Sequence, residues 1–181
     1  MLVPNKMQHV LCTGNIGREQ YDELVTLAPN VHVVQGDYNT PEANDNGTGL
    51  QFPDHTVCQV GQFRIGIVHG HQLLPWNSQD ALCRMRQKLQ VDILISGHSH
   101  QNQVQVVDGY YYLNPGSITG AYSANQEEIT PSFILLAVTD NKLVCYVYEL
   151  LEDQVEVSKT EFIKKEGGAN ANPALLQSLL S

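Results

Sequence analysis

Short continuous runs of apolar residues, each ending at a glycine or a polar side chain, recur through the first hundred residues of the chain. The run at 91–96 has the length and the Ile/Leu/Val content of a strand that is buried on both faces. Between such runs, other segments carry apolar residues at helical spacing. The predicted strands are at 8–13, 31–34, 56–60, 62–68 and 91–96, and the predicted helices are at 18–28 and 78–90.

After residue 100 the helical spacing disappears. Strand-like segments follow one another directly, joined by turn-forming pairs such as Asp108-Gly109, and they lie at 104–106, 110–113, 132–138, 143–150 and 155–163. Together with the first half, this pattern predicts an α/β fold in which two mixed β-sheets pack together in four layers with helices on the outside. We predict one domain at 1–163, a flexible tail at 164–181, and a long surface loop at 39–53.

Composition narrows the class of protein. The length of 181 residues suits a single domain with a substantial core, and the net charge of −9 opposes a nucleic-acid or anionic-membrane surface. The four cysteines contain no C-x-x-C pair, so neither a disulfide framework nor a zinc knuckle is predicted. With no apolar run near the ~20 residues of a membrane span and no signal-peptide pattern, we expect a cytosolic protein.

Polar side chains follow the ends of four predicted strands, where ligands bind to open α/β sheets. Two histidines two residues apart in extended chain point to the same side, so each histidine doublet can reach one point. Imidazole, carboxylate and amide groups together suit Zn, Mn or Fe, and paired cations of this kind hydrolyse phosphate esters. These strand-end residues are Asn15, Asp37, His69, His71, His98 and His100.

The alternative is that each of these histidines only bonds to backbone at a strand end. That alternative suits a lone histidine, whereas two doublets beside Asp37 and Asn15 favour a metal site. The remaining histidines, His9, His32 and His55, lie outside the pattern, and we predict structural or solvated positions for them.

The sequences HGH at 69–71, GHSH at 97–100 and NPGS at 114–117 resemble those of the calcineurin-like metallophosphoesterases. Longer stretches, including HGHQLLPW at 69–76 and VDILISGH at 91–98, resemble the branch of that family that forms the small subunit of retromer. The resemblance covers about residues 3–163. It implies a cytosolic protein recruited to endosomes for cargo retrieval and vacuolar sorting, bound to the large α-solenoid subunit of retromer, vacuolar protein sorting-associated protein 35.

The chain departs from the pattern of the active family members. It contains no Asp-x-His motif and aligns after the first strand of the family, which it is therefore expected to lack. Asn15 stands where the family has a bridging Asp, Asp37 where it has an Asn, and Tyr38 where it has the catalytic His. The resemblance then implies metal ligands at Asn15, Asp37, His69, His98 and His100. We expect no catalytic residues and at most one weakly bound, dispensable Zn or Mn ion; the alternative is a metal-dependent phosphodiesterase or phosphatase that uses the same ligands.

Two apolar surfaces are also expected. Leu73, Leu74, Pro75 and Trp76 follow the first histidine doublet. They are either buried loop anchors or, as the resemblance implies, the surface that binds the α-solenoid subunit. The resemblance further implies a regulator-binding patch, and its members are Leu135, Tyr146, Tyr148 and Val157. The alternative for the patch is ordinary packing in the sheet core.

Overall fold

The computed structural model describes residues 6–38, 51–76, 78–122, 129–165 and 168–171. The two helices within this part of the chain are α1 (Arg18–Leu27) and α2 (Gln79–Leu89). The strands up to the second histidine doublet are β1 (His9–Cys12), β2 (Asn30–Val33), β3 (His55–Val60), β4 (Phe63–Val68) and β5 (Ile93–Ser96). The later strands are β6 (Asn102–Val107), β7 (Tyr110–Pro115), β8 (Ser132–Thr139), β9 (Lys142–Leu151), β10 (Gln154–Lys165) and β11 (Gly168–Ala171).

The central sheet has five strands in the order β3-β4-β5-β7-β6. β4, β5 and β7 are parallel to their neighbours in the centre, and β3 and β6 pair antiparallel at the edges. All four residues of β5 are buried, as the continuous apolar run predicts. Ser78 is the N-cap residue of helix α2, and its side chain accepts a hydrogen bond from the Ala81 N–H.

A second sheet has the order β11-β10-β9-β8 and is antiparallel throughout. Alternate residues of the two sheets meet in one core: Phe63, Ile65, Ile93, Ile95, Tyr111 and Leu113 come from the central sheet, and Leu143, Cys145, Val147 and Phe162 come from the second. The opposite face of the central sheet packs on α2 through a second core that includes Leu89, Leu94 and Tyr112. The predicted α/β sandwich of two packed sheets with outer helices is confirmed.

Strands β1 and β2 pair parallel in a separate two-stranded sheet. Among the described residues, β1 has hydrogen-bonded strand pairing on one side only, and its four residues are half-buried. Leu11 nevertheless packs against the core between the two larger sheets.

Strand pairing extends into the first part of the predicted tail. β10 extends to Lys165, beyond the predicted domain end, and β11 pairs with residues 162–165 of β10 and also contacts β7. A strand ladder depends on backbone groups, so the short Gly-Ala-Asn-Ala segment can pair although it has no apolar pattern. Residues 172–181 of the predicted tail and residues 39–50 of the predicted loop lie outside the described residues.

Candidate metal-binding pocket

The polar residues that follow β1 and β2 meet because glycines allow a very close backbone approach. A Cβ on Gly14, whose φ is +110°, would lie 2.8 Å from the backbone nitrogen of Gly36. Only a residue without a side chain fits at that distance. Asn15 then donates from Nδ2 to the Asp37 Oδ1 at 2.8 Å, and it accepts from the Tyr38 N–H through Oδ1 at 3.1 Å.

His69 follows β4 and lies against the same carboxylate. Its side chain is almost fully buried, and Nε2 lies 3.0 Å from the Asp37 Oδ1. Nδ1 lies 2.6 Å from the carbonyl oxygen of Thr13, at the end of β1. β1, β2 and β4 therefore all supply groups that position Asp37 and His69.

His98 completes a group of three potential ligands. Its Nδ1 lies 3.6 Å from the Asp37 Oδ2. One ligand atom each from Asp37, His69 and His98 lies within 4.8 Å of the other two. Three of the five predicted metal ligands are thus brought together, with the Asn15 amide bonded to the shared carboxylate.

The second member of each histidine doublet lies outside this group. His98 and His100 have φ of +68° and +60°, so this segment is a strained turn and the assumption of extended chain is wrong here. The His100 Nδ1 bonds instead to the Ala121 carbonyl at 2.8 Å. The His71 ring lies 5.3 Å from the His69 ring, and its buried Nδ1 has no hydrogen-bond partner among the described residues.

The tautomer of His69 determines what can lie between it and Asp37. The Thr13 carbonyl only accepts, so Nδ1 carries the proton and Nε2 of the neutral ring presents a lone pair. Burial lowers the pKa of His69, although the Thr13 carbonyl and Asp37 act in the opposite direction, so the neutral form persists at pH 7. Two acceptor atoms then face each other at 3.0 Å. That arrangement, with two imidazoles and one carboxylate, fits a divalent cation such as Zn or Mn.

Asp37 is the only carboxylate of the group. Burial favours its neutral form, but the hydrogen bond from Asn15 and the neighbouring His69 and His98 outweigh burial and lower the pKa of Asp37. The carboxylate therefore stays ionised at neutral pH. Tyr38 next to it is 77% exposed and contributes its backbone N–H, not its phenol, to the hydrogen bonds of the pocket.

Exposed apolar side chains lie on two segments that contact the histidines of the doublets. The Trp76 ring contacts the His98 ring edge-on at 5.1 Å and its indole N–H donates to the His71 carbonyl, while Leu74 is 66% exposed. Sequence reasoning missed Ile118 and Tyr122, which are 65% and 79% exposed on the segment whose Ala121 carbonyl bonds His100. We call the exposed residues Leu74, Pro75, Trp76, Ile118 and Tyr122 the apolar rim.

Leu73 is a correction to the predicted partner-binding set. It is only 7% exposed and packs with Val68 and Leu94 in the core beneath α2. Leu73 therefore anchors the loop, while Leu74 faces solvent. The sequence alone could not tell which leucine is buried, because Leu73 and Leu74 are adjacent and identical in type.

The predicted regulator patch lies on the outer face of the second sheet. Leu135 pairs with Tyr146, and Val157 pairs with Tyr148, so all four share one face. The opposite face carries the buried Leu143, Cys145 and Val147. Tyr146 and Tyr148 are half-buried and Val157 is 51% exposed, so these residues lie away from the core between the sheets. Phe133 stacks on Tyr148 at 4.7 Å and extends the same face.

The fold and the pocket together define a class of protein. Residues 2–141 match the model of the calcineurin-like phosphoesterase superfamily domain. Within the part of the chain that the structure describes, no helix is long and apolar enough to cross a membrane.

Comparison with individual proteins narrows the class. The chain is 30% identical to vacuolar protein sorting-associated protein 29 (Vps29) of Schizosaccharomyces pombe over 92% of its length and 87% of that protein. It is similar to Vps29 of Entamoeba histolytica complexed with zinc, with 43% identity, a TM-score of 0.79, and coverage of 86% of this chain and 82% of that one. Vps29 of Chaetomium thermophilum, complexed with a cyclic peptide, shares 33% identity and a TM-score of 0.75 over 91% of this chain and 84% of that one. The chain belongs to the Vps29 family of the calcineurin-like phosphoesterase superfamily.

Proposed function

We propose that this chain is a non-catalytic scaffold subunit of retromer, which acts in the retrieval of cargo from endosomes to the Golgi and the plasma membrane. In this role it binds the large α-solenoid subunit through the apolar rim. The observation that carries the proposal is the combination of that exposed rim with a ligand group that, among the described residues, contains one carboxylate. The similarity to Vps29 proteins supports it.

The shortage of carboxylates argues against a pair of cations. Two dications about 4 Å apart repel by roughly 17 kcal/mol at an effective dielectric constant near 20. Active two-metal sites offset that repulsion with several carboxylates, whereas Asn15 and neutral histidines contribute no negative charge. Asp37 alone can offset the charge of a single weakly bound Zn or Mn ion, held by Asp37, His69 and His98. Such an ion acts as a Lewis acid toward phosphate oxygens, and the scaffold role does not require it.

The apolar rim has the features of a docking surface. Several large apolar side chains are solvent-exposed on the two segments of the rim, and exposed apolar clusters mark protein interfaces. An α-solenoid presents stacked helices whose apolar side chains could pack against Leu74 and Trp76. The edge contact between the Trp76 and His98 rings places the rim at the border of the pocket.

The outer face of the second sheet would serve a second class of partner. Tyr148, Val157 and Leu150 are partly or largely exposed on adjacent strands, and tyrosine is enriched in energetically important interface positions. This face is separated from the pocket by the core between the sheets. Regulators could therefore bind there while the α-solenoid subunit occupies the rim.

The alternative function is a metal-dependent phosphodiesterase or phosphatase. The superfamily match and the ligand group Asp37, His69 and His98 favour it. Asn15 in place of a bridging carboxylate, and the exposed Tyr38 in place of the catalytic histidine of the family, oppose it.

Binding of the purified α-solenoid subunit to variants of this chain tests the scaffold proposal. Leu74→Asp places a charge in the apolar contact and should weaken binding by about 30-fold or more, as truncation of a central interface residue does. His98→Ala, or addition of a chelator, should change the affinity by less than about threefold, since no metal is required. Isothermal titration calorimetry measures both.

Val157→Asp provides the matched control. Val157 has an exposure similar to that of Leu74 but lies on the outer face of the second sheet. The control should bind the α-solenoid subunit like the wild type. Equal affinity of Leu74→Asp and the wild type, or loss of binding on chelation, would disprove the proposed mode of docking.

A further inference from the structure

The two-stranded sheet β1–β2 contains a pair of histidines that the pocket does not use. His9 in β1 and His32 in β2 lie with their rings stacked at an interplanar angle of 16° and a centroid distance of 5.6 Å. The His9 Nδ1 and the His32 Nε2 are 3.4 Å apart. The sequence offered no reason to single them out, because 22 residues separate them and neither belongs to a histidine doublet.

The parallel register explains why the rings meet. His9 pairs with Asn30 and Leu11 pairs with His32, so His9 and His32 are diagonal neighbours on one face of the sheet. Diagonal neighbours on adjacent strands are within reach of long or aromatic side chains. Leu11 shares that face and packs against the main core, which fixes the backbone on which both rings stand. Both histidines are half-buried, so the pair is ordered and still accessible to small ions.

The distance between the two nitrogens corresponds to metal coordination. Two histidine ligands of a tetrahedral zinc ion, each about 2.0–2.1 Å from the metal, have nitrogens about 3.3–3.4 Å apart. The same 3.4 Å is long for an N–H···N hydrogen bond, whose usual range ends near 3.2 Å by analogy with N–H···O. The rings are therefore spaced as two ligands of one ion are spaced.

The protonation state of the pair also suits a metal. Burial, together with the neighbouring His9, lowers the pKa of His32, so this ring is neutral at pH 7. A neutral imidazole has one lone-pair nitrogen, and a shift of tautomer places both protons on the outer nitrogens, His9 Nε2 and His32 Nδ1. The facing nitrogens then both present lone pairs without loss of a proton to solvent.

We propose that His9 and His32 form a second metal site, which binds a divalent transition-metal ion that prefers nitrogen ligands, such as Zn²⁺ or Cu²⁺. The ion completes its coordination with water and links β1 to β2. The site is distinct from the pocket of Asp37, His69 and His98 and does not depend on the proposed retromer role. Two protein ligands give weaker binding than a closed four-ligand site, so the ion is exchangeable.

Zinc binding to untagged, chelator-stripped full-length protein tests the site. The Asp37→Ala/His98→Ala background removes two of the three pocket ligands, and the part of the remaining binding that depends on His9 and His32 belongs to the histidine pair. Competition with a chromophoric chelator should detect about one Zn²⁺ per chain. His9→Gln and His32→Gln should each weaken zinc binding by at least about tenfold. Removal of a group that only hydrogen-bonds to a metal ligand already lowers metal affinity by that factor. His55→Gln, an exposed single histidine on β3, is the matched control and should have no effect.

Electron paramagnetic resonance of Cu²⁺ bound to the same background protein identifies the ligand atoms directly and uses the variants already named. Superhyperfine coupling to two imidazole nitrogens is expected, with one coupling left in His32→Gln. The proposal is overturned if the background protein binds neither Zn²⁺ nor Cu²⁺, if only one of the two histidine substitutions matters, or if the spectrum shows a single nitrogen.

Discussion

At the scale of single residues, the chemistry of the pocket depends on which atoms face the Asp37 carboxylate. Asn15, His69 and His98 contact it, as their positions at strand ends predict. His100 does not, because a left-handed backbone at His98 and His100 turns its ring toward Ala121. Strand-end position is visible in the sequence, whereas a positive φ at a non-glycine residue is not. That is why the three potential ligands and the amide were predictable and the position of the His100 ring was not.

The protonation of His69 gives a prediction about stability and pH. The pKa of His69 is lower in the folded protein than its ordinary value of 6.5, so the unfolded chain takes up the proton first as pH falls. The folded state therefore loses stability as pH falls through 6.5, and His32, whose pKa is also lowered, acts in the same direction. Asp37 adds a further loss only below its ordinary value of 3.8.

Urea unfolding in the presence of a chelator measures this effect. We expect the urea concentration at the midpoint of unfolding to be lower at pH 5.5 than at pH 7.5. In His69→Gln, the difference between the midpoints at these two pH values should be smaller. His55→Gln, which alters an exposed histidine, should keep the wild-type difference. A midpoint that is equal at both pH values, or a difference that His69→Gln leaves unchanged, would contradict the account.

At the scale of elements, hydrophobic periodicity predicted nearly every helix and strand, and the register explains how they pack. Alternation in β5 and β7 sends Ile93 and Tyr111 to one core and Leu94 and Tyr112 to the other. β11 escaped prediction because it pairs through its backbone and has no apolar pattern. Which leucine of the loop after β4 is buried also escaped, because it depends on the position of α2.

One ion pair joins the two large sheets at the edge opposite the pocket. Lys164 of β10 donates to the Asp92 Oδ2 at 2.6 Å and to the Gln62 carbonyl at 2.7 Å, and Asp92 also accepts from the Arg64 N–H. The pair is largely shielded from solvent. Lys164→Met leaves the Asp92 carboxylate without its positively charged partner. The substitution should lower the free energy of unfolding by about 1–3 kcal/mol.

Lys159→Met is the matched control on the same strand. Lys159 pairs with Glu161 at 2.7 Å, but both groups are on the solvent side, where ion pairs contribute little. Denaturant unfolding should therefore show a midpoint shift for Lys164→Met and none for Lys159→Met. Equal shifts in the two variants would show that the contact between the sheets is not what Lys164 contributes.

At the scale of the whole molecule, family membership and fold followed from the sequence, while the surfaces required the structure. The two packed sheets bring the pocket with its apolar rim to one region and the outer face of the second sheet to another. Leu74 and Trp76 belong to the predicted partner-binding set, whereas Ile118 and Tyr122 lie on a segment more than 40 residues later that the fold brings against His100. Proximity of this kind arises from the fold and leaves no trace in local sequence pattern.

The central claim is that the pocket provides a docking surface and does not perform hydrolysis. Its most direct test is the rate at which chelator-stripped protein, reloaded with Mn²⁺, hydrolyses bis(p-nitrophenyl) phosphate. We predict a rate equal to that of Mn²⁺ alone, with His98→Ala giving the same value. A rate clearly above the metal blank, abolished by His98→Ala, would contradict the claim.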